Sequence, residues 1–356
     1  FNDCTYPSSL VFLISSGTLM NADALVPTSS IGRTVSVATE ARPFSSSYWP
    51  MVDDGINARW QGSTIPSPAE KYGQLFLDSA TTQRLVTYIS ENHGKKVLGV
   101  QSWFGICQGW TASAINELAP KHAAVVRKVT RPDGTVGIQA CAVPTDSGCV
   151  RFEPGDITAL LAEAYAAADS RFIGYRCDAK PASFKYDSTD QVQLPNCRSN
   201  AGTLFLTATN FIGRAHRAFA INAVNNDEIW NQPAFAYKIT TYQKVTALQA
   251  AQLVSPGQTS YTFNTAAKDF RRATMTLTWT VEADPTVGTP PPVRTASGTY
   301  DMIVELDSLG NVLGGEWIGA SKTNHPPFFW APVGPGLEVP YLEYRQIKAL
   351  LDASRT

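Results

Sequence analysis

Histidine is scarce in this sequence, and several kinds of motif are missing from it. The 356 residues include four histidines, and 29 lysines and arginines oppose 30 aspartates and glutamates for a formal net charge of −1. No basic stripe stands out, so the charge pattern gives no reason to expect nucleic acid or an anionic membrane as a partner. No apolar run approaches the ~20 residues that cross a bilayer. The sequence has neither an N-glycosylation sequon nor an Asp-rich EF-hand loop.

Zinc-finger spacing is also absent from the six cysteines. Cys141 and Cys149 flank a turn that would bring them together, and Cys177 and Cys197 flank a polar loop. We interpret these four residues as two disulfides of a secreted protein.

The two remaining cysteines, Cys4 and Cys107, leave two alternatives open. Either they pair with each other, or Cys4 bonds to a segment outside this chain and Cys107 stays a thiol. Because the chain begins at Phe1 without a methionine, we expect that a signal or pro-segment has been removed.

The stretch from Gln101 to Ile115 carries the features of a nucleophile site. Cys107 opens a run with apolar residues at helical spacing, including Trp110, and Pro120 follows as its stop. At a helix start the positive end of the dipole favours a thiolate over a thiol. Gln101 precedes Cys107 by six residues across an aromatic-glycine turn, so its amide is a candidate oxyanion donor. The alternative is a structural cysteine in an apolar helix.

The Gln101 to Cys107 interval resembles that of papain-like cysteine enzymes, in which the cysteine also opens a long helix. A thiolate needs a proton-carrying partner, usually histidine. We expect His216, placed at the start of a strand, to be this base, with Asn231 as the amide that orients it. His325, in an aromatic-rich turn, is the competing candidate. His93 and His122 are interpreted as a helix-end residue and a solvated edge residue.

The patterns predict an α+β protein in a papain-like arrangement, a helical half carrying the nucleophilic cysteine followed by an antiparallel sheet half. Residues 1–60 predict an irregular N-terminal wrap, residues 61–213 the mainly helical half, and residues 214–356 the sheet half with a C-terminal helix.

Several local signals support this division. Ser67, followed by Pro68 and Glu70, predicts a capped helix start. Asp156 is expected to cap an alanine-rich helix that runs to about residue 168, and residues 204–211 favour helix. Further segments predict a helix at 81–92, a hairpin at 123–141, a C-terminal helix at 341–351 and strands at 218–221, 235–241, 261–263, 274–281, 300–306 and 313–317.

Residues 229–241 closely resemble the thirteen-residue elicitor segment of the cell-wall transglutaminases of Phytophthora. Trp230, Asn231, Gln232, Pro233 and Lys238 are identical to that segment, whereas the stretch 234–236 replaces its middle and lacks its Arg and Gly. The similarity extends to motifs at 48–60, 67–72, 103–110 and 315–326.

This resemblance implies a secreted, cell-wall-associated transglutaminase. In such an enzyme the thiolate attacks the carboxamide of a protein glutamine, and a lysine amine then takes the acyl group to form an isopeptide crosslink. The partners implied are proteins bearing Gln and Lys, and a plant immune receptor that would read the surface segment 229–241. Trp110, Trp230 and Pro233 are the implied substrate-binding residues. The chemistry needs no cofactor, although the family resemblance implies calcium.

The residues alone do not separate a transamidase from a papain-like peptidase, because the two differ in whether an amine or water reaches the acyl-enzyme. A third alternative is a wall-associated structural protein or elicitor without activity, in which all six cysteines are paired.

Overall fold

A computed structural model describes residues 32–143, 145–177, 179–180, 183, 185, 197–336 and 339–356. Within these residues the helices are α1 (Pro68–Phe76), α2 (Ser79–Asn92), α3 (Cys107–Asn116), α4 (Pro154–Ala164), α5 (Ala201–Ala208), α6 (Ala247–Val254) and α7 (Tyr344–Ala353). The strands are β1 (Thr34–Ser36), β2 (Ala124–Thr130), β3 (Val136–Ala140), β4 (Cys149–Phe152), β5 (Asp169–Gly174), β6 (Phe219–Asn222), β7 (Asn231–Val245), β8 (Asp269–Val281), β9 (Arg294–Leu306), β10 (Val312–Trp317) and β11 (Phe328–Gly334).

The main sheet has eight strands in the order β10-β9-β8-β7-β6-β11-β5, and β1 pairs with β7 off this path. The strand pairings of this sheet are antiparallel among the described residues. A second sheet has the order β3-β2-β4. The prediction of an antiparallel sheet in the second half is therefore confirmed.

The division into a helical half and a sheet half is less strict than predicted. Strand β5 comes from the first half of the chain but pairs with β11, with Phe172 opposite Trp330. Helix α7 comes from the second half, yet its Ile347, Leu350 and Leu351 belong to the same apolar core as α3 and α4. Each half of the chain thus contributes one element to the other half of the fold. Hydrophobic periodicity along the chain does not predict such long-range packing.

Several local predictions are confirmed. Ser67 accepts from the Glu70 backbone N–H while the Glu70 side chain accepts from the Ser67 N–H, which is the predicted capping box. Residues 204–211 are helical, within α5 and the π-helical turn Thr209–Arg214 that follows it. The disulfides Cys141–Cys149 and Cys177–Cys197 form as predicted. Cys4 lies outside the described residues.

Other predictions are wrong. Asp156 does not cap α4, because Glu153 is the N-cap and Asp156 is the third helical residue of a capping box; α4 also ends at Ala164 rather than 168. The buried Asp156 carboxylate instead pairs with the Lys71 ammonium at 2.5 Å. Residues 261–263 are not a strand, although their rings pack beside β8.

Two apolar cores cover opposite faces of the main sheet. Trp330 packs with α3 and α4, whereas Phe329 packs with α5 and strands β7 to β10. Consecutive residues of a strand point to opposite faces, so β11 separates the two cores. Among the described residues, no helix combines the length and apolar character needed to cross a membrane.

Candidate active site

Cys107 is the first residue of α3, as the sequence predicts, and its side chain is fully buried. The residues from Cys107 to Ala114 are all buried, so α3 runs through the interior. Gly109 permits this position, because a Cβ there would lie 2.0 Å from the Ala162 carbonyl oxygen of α4. The sulfur therefore sits at the N-terminal end of a helix dipole and away from water.

Two groups, one at the start of β7 and one two residues before it, contact the sulfur. The Cys107 thiol donates to the Ile229 carbonyl oxygen at 3.7 Å, and the Asn231 side-chain amide donates to Sγ with Nδ2 at 3.5 Å. The structure thus brings together Cys107 and Asn231, two of the residues that the sequence proposes for the site.

The orientation of the Asn231 amide is fixed by a residue that the sequence analysis did not select. Trp330 of β11 donates its indole N–H to Asn231 Oδ1 at 2.8 Å. Because an indole can only donate, Oδ1 must face Trp330 and Nδ2 must face the sulfur. The Thr111 hydroxyl also donates to the Asn231 backbone carbonyl at 2.8 Å, which holds the strand end against α3.

Gln101 lies on an exposed turn before α3. Its side-chain oxygen accepts from the Trp103 indole N–H at 2.9 Å, which leaves the amide NH₂ as the end with donors to offer. The oxyanion role of Gln101 stays a prediction.

Trp110 lies in the interior of the protein. It is fully buried, and its indole N–H donates to the Phe44 carbonyl at 3.0 Å. It thereby anchors α3 to the chain that precedes the first helices, and its substrate-binding role stays a prediction.

His216 is not brought to Cys107. It is exposed with a positive φ of 50° and precedes β6, which begins at Phe219, so the prediction that it starts the strand is wrong. Asn222, at the other end of β6, is the residue opposite Asn231. At about 3.3 Å per residue, Phe219 lies ~10 Å along the strand from Asn222, the residue that pairs with Asn231. His216 lies three residues farther from Asn222 than Phe219 does.

His325 is on the wrong face of the sheet. It is buried and stacks on Trp317 with ring centroids 4.7 Å apart, and Trp317 belongs to the core opposite that of Cys107. Its Nδ1 lies 2.7 Å from the Ser321 carbonyl, so Nδ1 carries the proton. Burial lowers the pKa of His325 to about 4. This is a structural histidine held neutral, rather than a base for Cys107.

The other two histidines have local roles. His93 caps the C-terminus of α2, as expected, but also forms an ion pair with the buried Glu163 of α4 at 2.6 Å. Burial opposes its charge, yet the Glu163 carboxylate prevails and raises the pKa of His93. His122 is exposed, with Nδ1 3.0 Å from the Ala123 carbonyl.

The segment 229–241 is not the surface segment that the resemblance implies. Most of it forms the interior strand β7, which pairs with β6, β8 and β1. Pro233 is buried opposite Ala220, and only Lys238 and Thr240 are exposed in the segment. Trp230 is partly buried, and its indole N–H donates to Glu228 at 2.9 Å.

A cavity of about 350 Å³ lies close to this arrangement, between residues 47–60 and the 282–294 end of the β8–β9 hairpin. Tyr48 belongs to its wall, and the Tyr48 carbonyl accepts from the Ile106 N–H at 2.8 Å, one residue before Cys107. The Tyr48 ring also contacts the Trp230 ring edge-on, with centroids 5.3 Å apart. Nothing in the sequence around Tyr48 indicates that it lies near Cys107 in the fold.

A metal centre has little support in the described part of the chain. No three His, Cys, Asp or Glu side chains converge there in a way that could hold a metal ion. We therefore derive no step through calcium.

Comparisons with known proteins bear on the fold and family. The sequence model of the Transglutaminase elicitor family matches residues 26–98 and 137–356. The stretch carrying Gln101, Cys107 and Trp110 falls between the two matched parts. The crystal structure of the GP42 transglutaminase from Phytophthora sojae has a similar fold, with a TM-score of 0.69 and 23% sequence identity over 93% of this chain and 94% of that chain. No curated protein matches the sequence.

Proposed function

Because this chain belongs to the transglutaminase elicitor family, we propose that it is a protein-glutamine γ-glutamyltransferase, which joins Gln and Lys side chains through a thioester on Cys107. The family is the one that the sequence predicts. The observation that carries the proposal is the contact of Cys107 Sγ, at the start of α3, with the Asn231 amide donor at 3.5 Å.

This geometry supports a nucleophilic sulfur. A thiol can donate to the Ile229 carbonyl, and a thiolate can accept from the Asn231 amide. Hydrogen bonds to a charged form favour that form, and so does the positive end of a helix dipole. Asn231 is thus proposed to stabilise the thiolate directly, rather than to orient a histidine.

The reaction proceeds in two balanced steps. In the first, Sγ attacks the side-chain carbonyl of a glutamine; the C–S bond forms, the C–N bond breaks, and the thiol proton leaves with the nitrogen as ammonia. In the second, a neutral lysine amine attacks the thioester carbonyl; the new C–N bond forms, the C–S bond breaks, and an amine proton returns to the sulfur.

Burial supports transfer over hydrolysis. Cys107 is fully buried in a site between α3, β7 and β11, so a thioester there would be screened from bulk water. A papain-like peptidase needs water at the same carbon, whereas a transamidase benefits from its exclusion. The same burial requires the groups around Tyr48 and Trp230 to part before substrate reaches the sulfur.

The setting of the reaction is proposed to be extracellular. The two disulfides suit an oxidising compartment, and the family resemblance extends this to secretion and association with a cell wall. The protein substrates are those that expose Gln and Lys side chains.

Incorporation of a fluorescent primary amine into a Gln-containing protein tests the proposal. The assay compares the full chain with Cys107→Ala, with and without reductant and with and without calcium. We expect incorporation that Cys107→Ala abolishes. Cys107-dependent cleavage without incorporation would instead identify a peptidase, and the absence of both activities under reducing conditions would indicate a structural or elicitor protein. Activity that appears only with reductant would show that a disulfide masks Cys107.

A further inference from the structure

We propose that the cavity between Trp49, Trp60 and Glu282 binds the primary ammonium group of the acyl acceptor, a lysine side chain or a small diamine. This inference rests on the proposed transglutaminase function and names the site of its second substrate. The cavity combines aromatic walls, an excess of negative charge and a buried donor that lacks a partner, and its wall residue Tyr48 accepts from the Ile106 N–H, one residue before Cys107.

The aromatic walls are rigid. Trp60 donates its indole N–H to the buried Asp156 carboxylate at 2.9 Å, and Asp156 is in turn paired with Lys71. Gly155 of α4 allows both Trp60 and Pro285 of the hairpin to pack against it, because a Cβ there would lie 2.9 Å from the Trp60 ring and 2.7 Å from Pro285. Aromatic faces held in this way attract an ammonium through the ring quadrupole.

Negative charge prevails in the lining. Asp53, Glu282 and Asp284 oppose the one guanidinium of Arg294. Glu282 Oε1 accepts from the Gln232 amide at 2.6 Å, which fixes the carboxylate at the inner end of the cavity. Burial raises the pKa of Glu282 even though Gln232 and Arg294 both favour its charged form. The neighbouring groups therefore do not fully offset the burial of the Glu282 negative charge, and an incoming cation would stabilise the carboxylate.

Trp49 offers a second and independent sign of a ligand. It lines the cavity, its side chain is nearly fully buried, and its indole N–H has no hydrogen-bond partner among the described residues. A buried donor without a partner is destabilising relative to a donor that is hydrogen-bonded. A carbonyl oxygen of the peptide that carries the acceptor lysine would supply that partner.

Two hydrogen bonds connect the cavity to the segments that carry Cys107 and Asn231. Its wall residue Tyr48 binds the Ile106 N–H, next to Cys107, and Glu282 binds Gln232, next to Asn231. An amine held by Glu282 would lie in the cavity whose wall includes Tyr48, and the Tyr48 ring contacts Trp230 edge-on. Parting of these two rings would connect the two substrates. The acceptor binds as the ammonium, and the neutral amine that attacks the thioester forms when the ammonium releases one proton to solvent.

A charge-selective kinetic test separates this site from general effects. A Gln-bearing peptide serves as acyl donor to the full chain under reducing conditions, with either Nα-acetyl-lysine amide, a cation, or hydroxylamine, which is neutral at neutral pH, as acceptor. For Glu282→Gln we expect the KM for the lysine acceptor to rise about tenfold, the loss of ~1.4 kcal/mol. Hydroxamate formation should stay within about twofold of the unmodified chain, which also shows that the variant is folded.

Glu91→Gln is the matched control, because Glu91 is an exposed glutamate on α2, 3.7 Å from Lys96 and outside the cavity. Asp284→Asn at the cavity rim should raise the same KM by a smaller factor. An equal effect of Glu282→Gln on both acceptors, or no effect on either, would overturn the proposal.

A binding measurement keeps the inference testable if the proposed activity fails. Dansylcadaverine, a primary ammonium, should bind to Cys107→Ala more tightly than its N-acetylated neutral form, and addition of Glu282→Gln should remove the difference. If Cys107 forms no hydroxamate but the protein still binds the charged probe more tightly than the neutral one, only the proposed function is contradicted. Equal binding of the two probes would refute the ammonium site.

Discussion

At the scale of single residues, the central feature is an asparagine that can face the sulfur in only one way. Trp330 lies 223 positions after Cys107 in the chain. Its N–H holds Asn231 Oδ1 and thereby directs Nδ2 to the thiol. Trp330 is therefore a positioning residue, and its removal should act on the reactivity of Cys107 without any direct contact with substrate.

Replacement of Trp330 by phenylalanine tests this relay. The Asn231 amide would lose the donor that sets its orientation, so the thiolate would lose its best partner. We expect the pH midpoint of Cys107 alkylation by iodoacetamide to move upward and turnover to fall about tenfold, a loss of ~1.4 kcal/mol. Trp317→Phe is the matched control, since it removes a buried indole donor to Ser199 on the opposite face. Equal midpoints in the two variants would contradict the relay.

His325 predicts a pH dependence of stability. Its pKa is lowered to about 4 in the folded protein, whereas an unfolded histidine titrates near 6.5. Between these pH values the unfolded chain binds the additional proton. The free energy of unfolding is therefore highest above pH 6.5 and falls as the pH decreases toward 4. The shift corresponds to at most about 3 kcal/mol.

Urea unfolding between pH 4 and pH 7 measures this dependence. His325→Phe retains a ring to stack on Trp317 but cannot titrate, so its free energy of unfolding should fall less over the interval. The exposed His122 provides the control variant His122→Phe, which should keep the slope of the unmodified chain. Parallel pH profiles for all three proteins would exclude this role of His325.

At the scale of elements, β7 gives the elicitor-like segment a structural role. Its backbone pairs with three strands, and its first residues form the floor of the Cys107 site. A receptor that binds the folded protein at this segment would contact mainly Lys238 and Thr240, because most other side chains of residues 229–241 are buried. Exposure of the whole segment requires unfolding or proteolysis.

An antibody raised against the peptide 229–241 tests this burial. It should bind denatured or digested protein strongly and the folded chain weakly, because the recognised side chains lie inside the sheet. Hydrogen exchange should correspondingly be slow at the amides of residues 234–239. Equal antibody binding to folded and denatured protein would show that the segment is on the surface.

The packing of α3 on α4 makes a second prediction at this scale. An added methyl at Gly109 would lie 2.0 Å from the Ala162 carbonyl oxygen, so the helices would have to separate. Gly109→Ala should lower the free energy of unfolding by more than about 3 kcal/mol, measured in urea. Gly334→Ala is the control, because no atom lies within 4 Å of its added Cβ. Similar stabilities of the two variants would contradict the close approach.

At the scale of the whole molecule, the sequence predicted what depends on neighbours in the chain. The Ser67 cap, the start of α3 at Cys107 and the two disulfides all follow from signals within about twenty residues. The resemblance of residues 229–241 also identified the family. The papain-like interval pointed to Asn231, although as an amide that orients His216, whereas the structure places its amide on Cys107.

The remainder of the site depends on contacts between distant segments. Trp330 reaches Asn231 because β11 is inserted next to β6, a pairing that no local pattern reports. The small number of histidines favours His216 and His325 as candidate bases. Only the sheet register and the separation of the two cores show that neither lies beside Cys107.

The most direct test of the account is to find the acyl group on the enzyme. The full chain is incubated under reducing conditions with a Gln-bearing peptide and no amine, quenched in acid, digested and mapped by mass spectrometry. We expect a thioester to the peptide on Cys107 that hydroxylamine removes and that Cys107→Ala does not form. Amine incorporation without any adduct on Cys107, or an adduct at another residue, would contradict it.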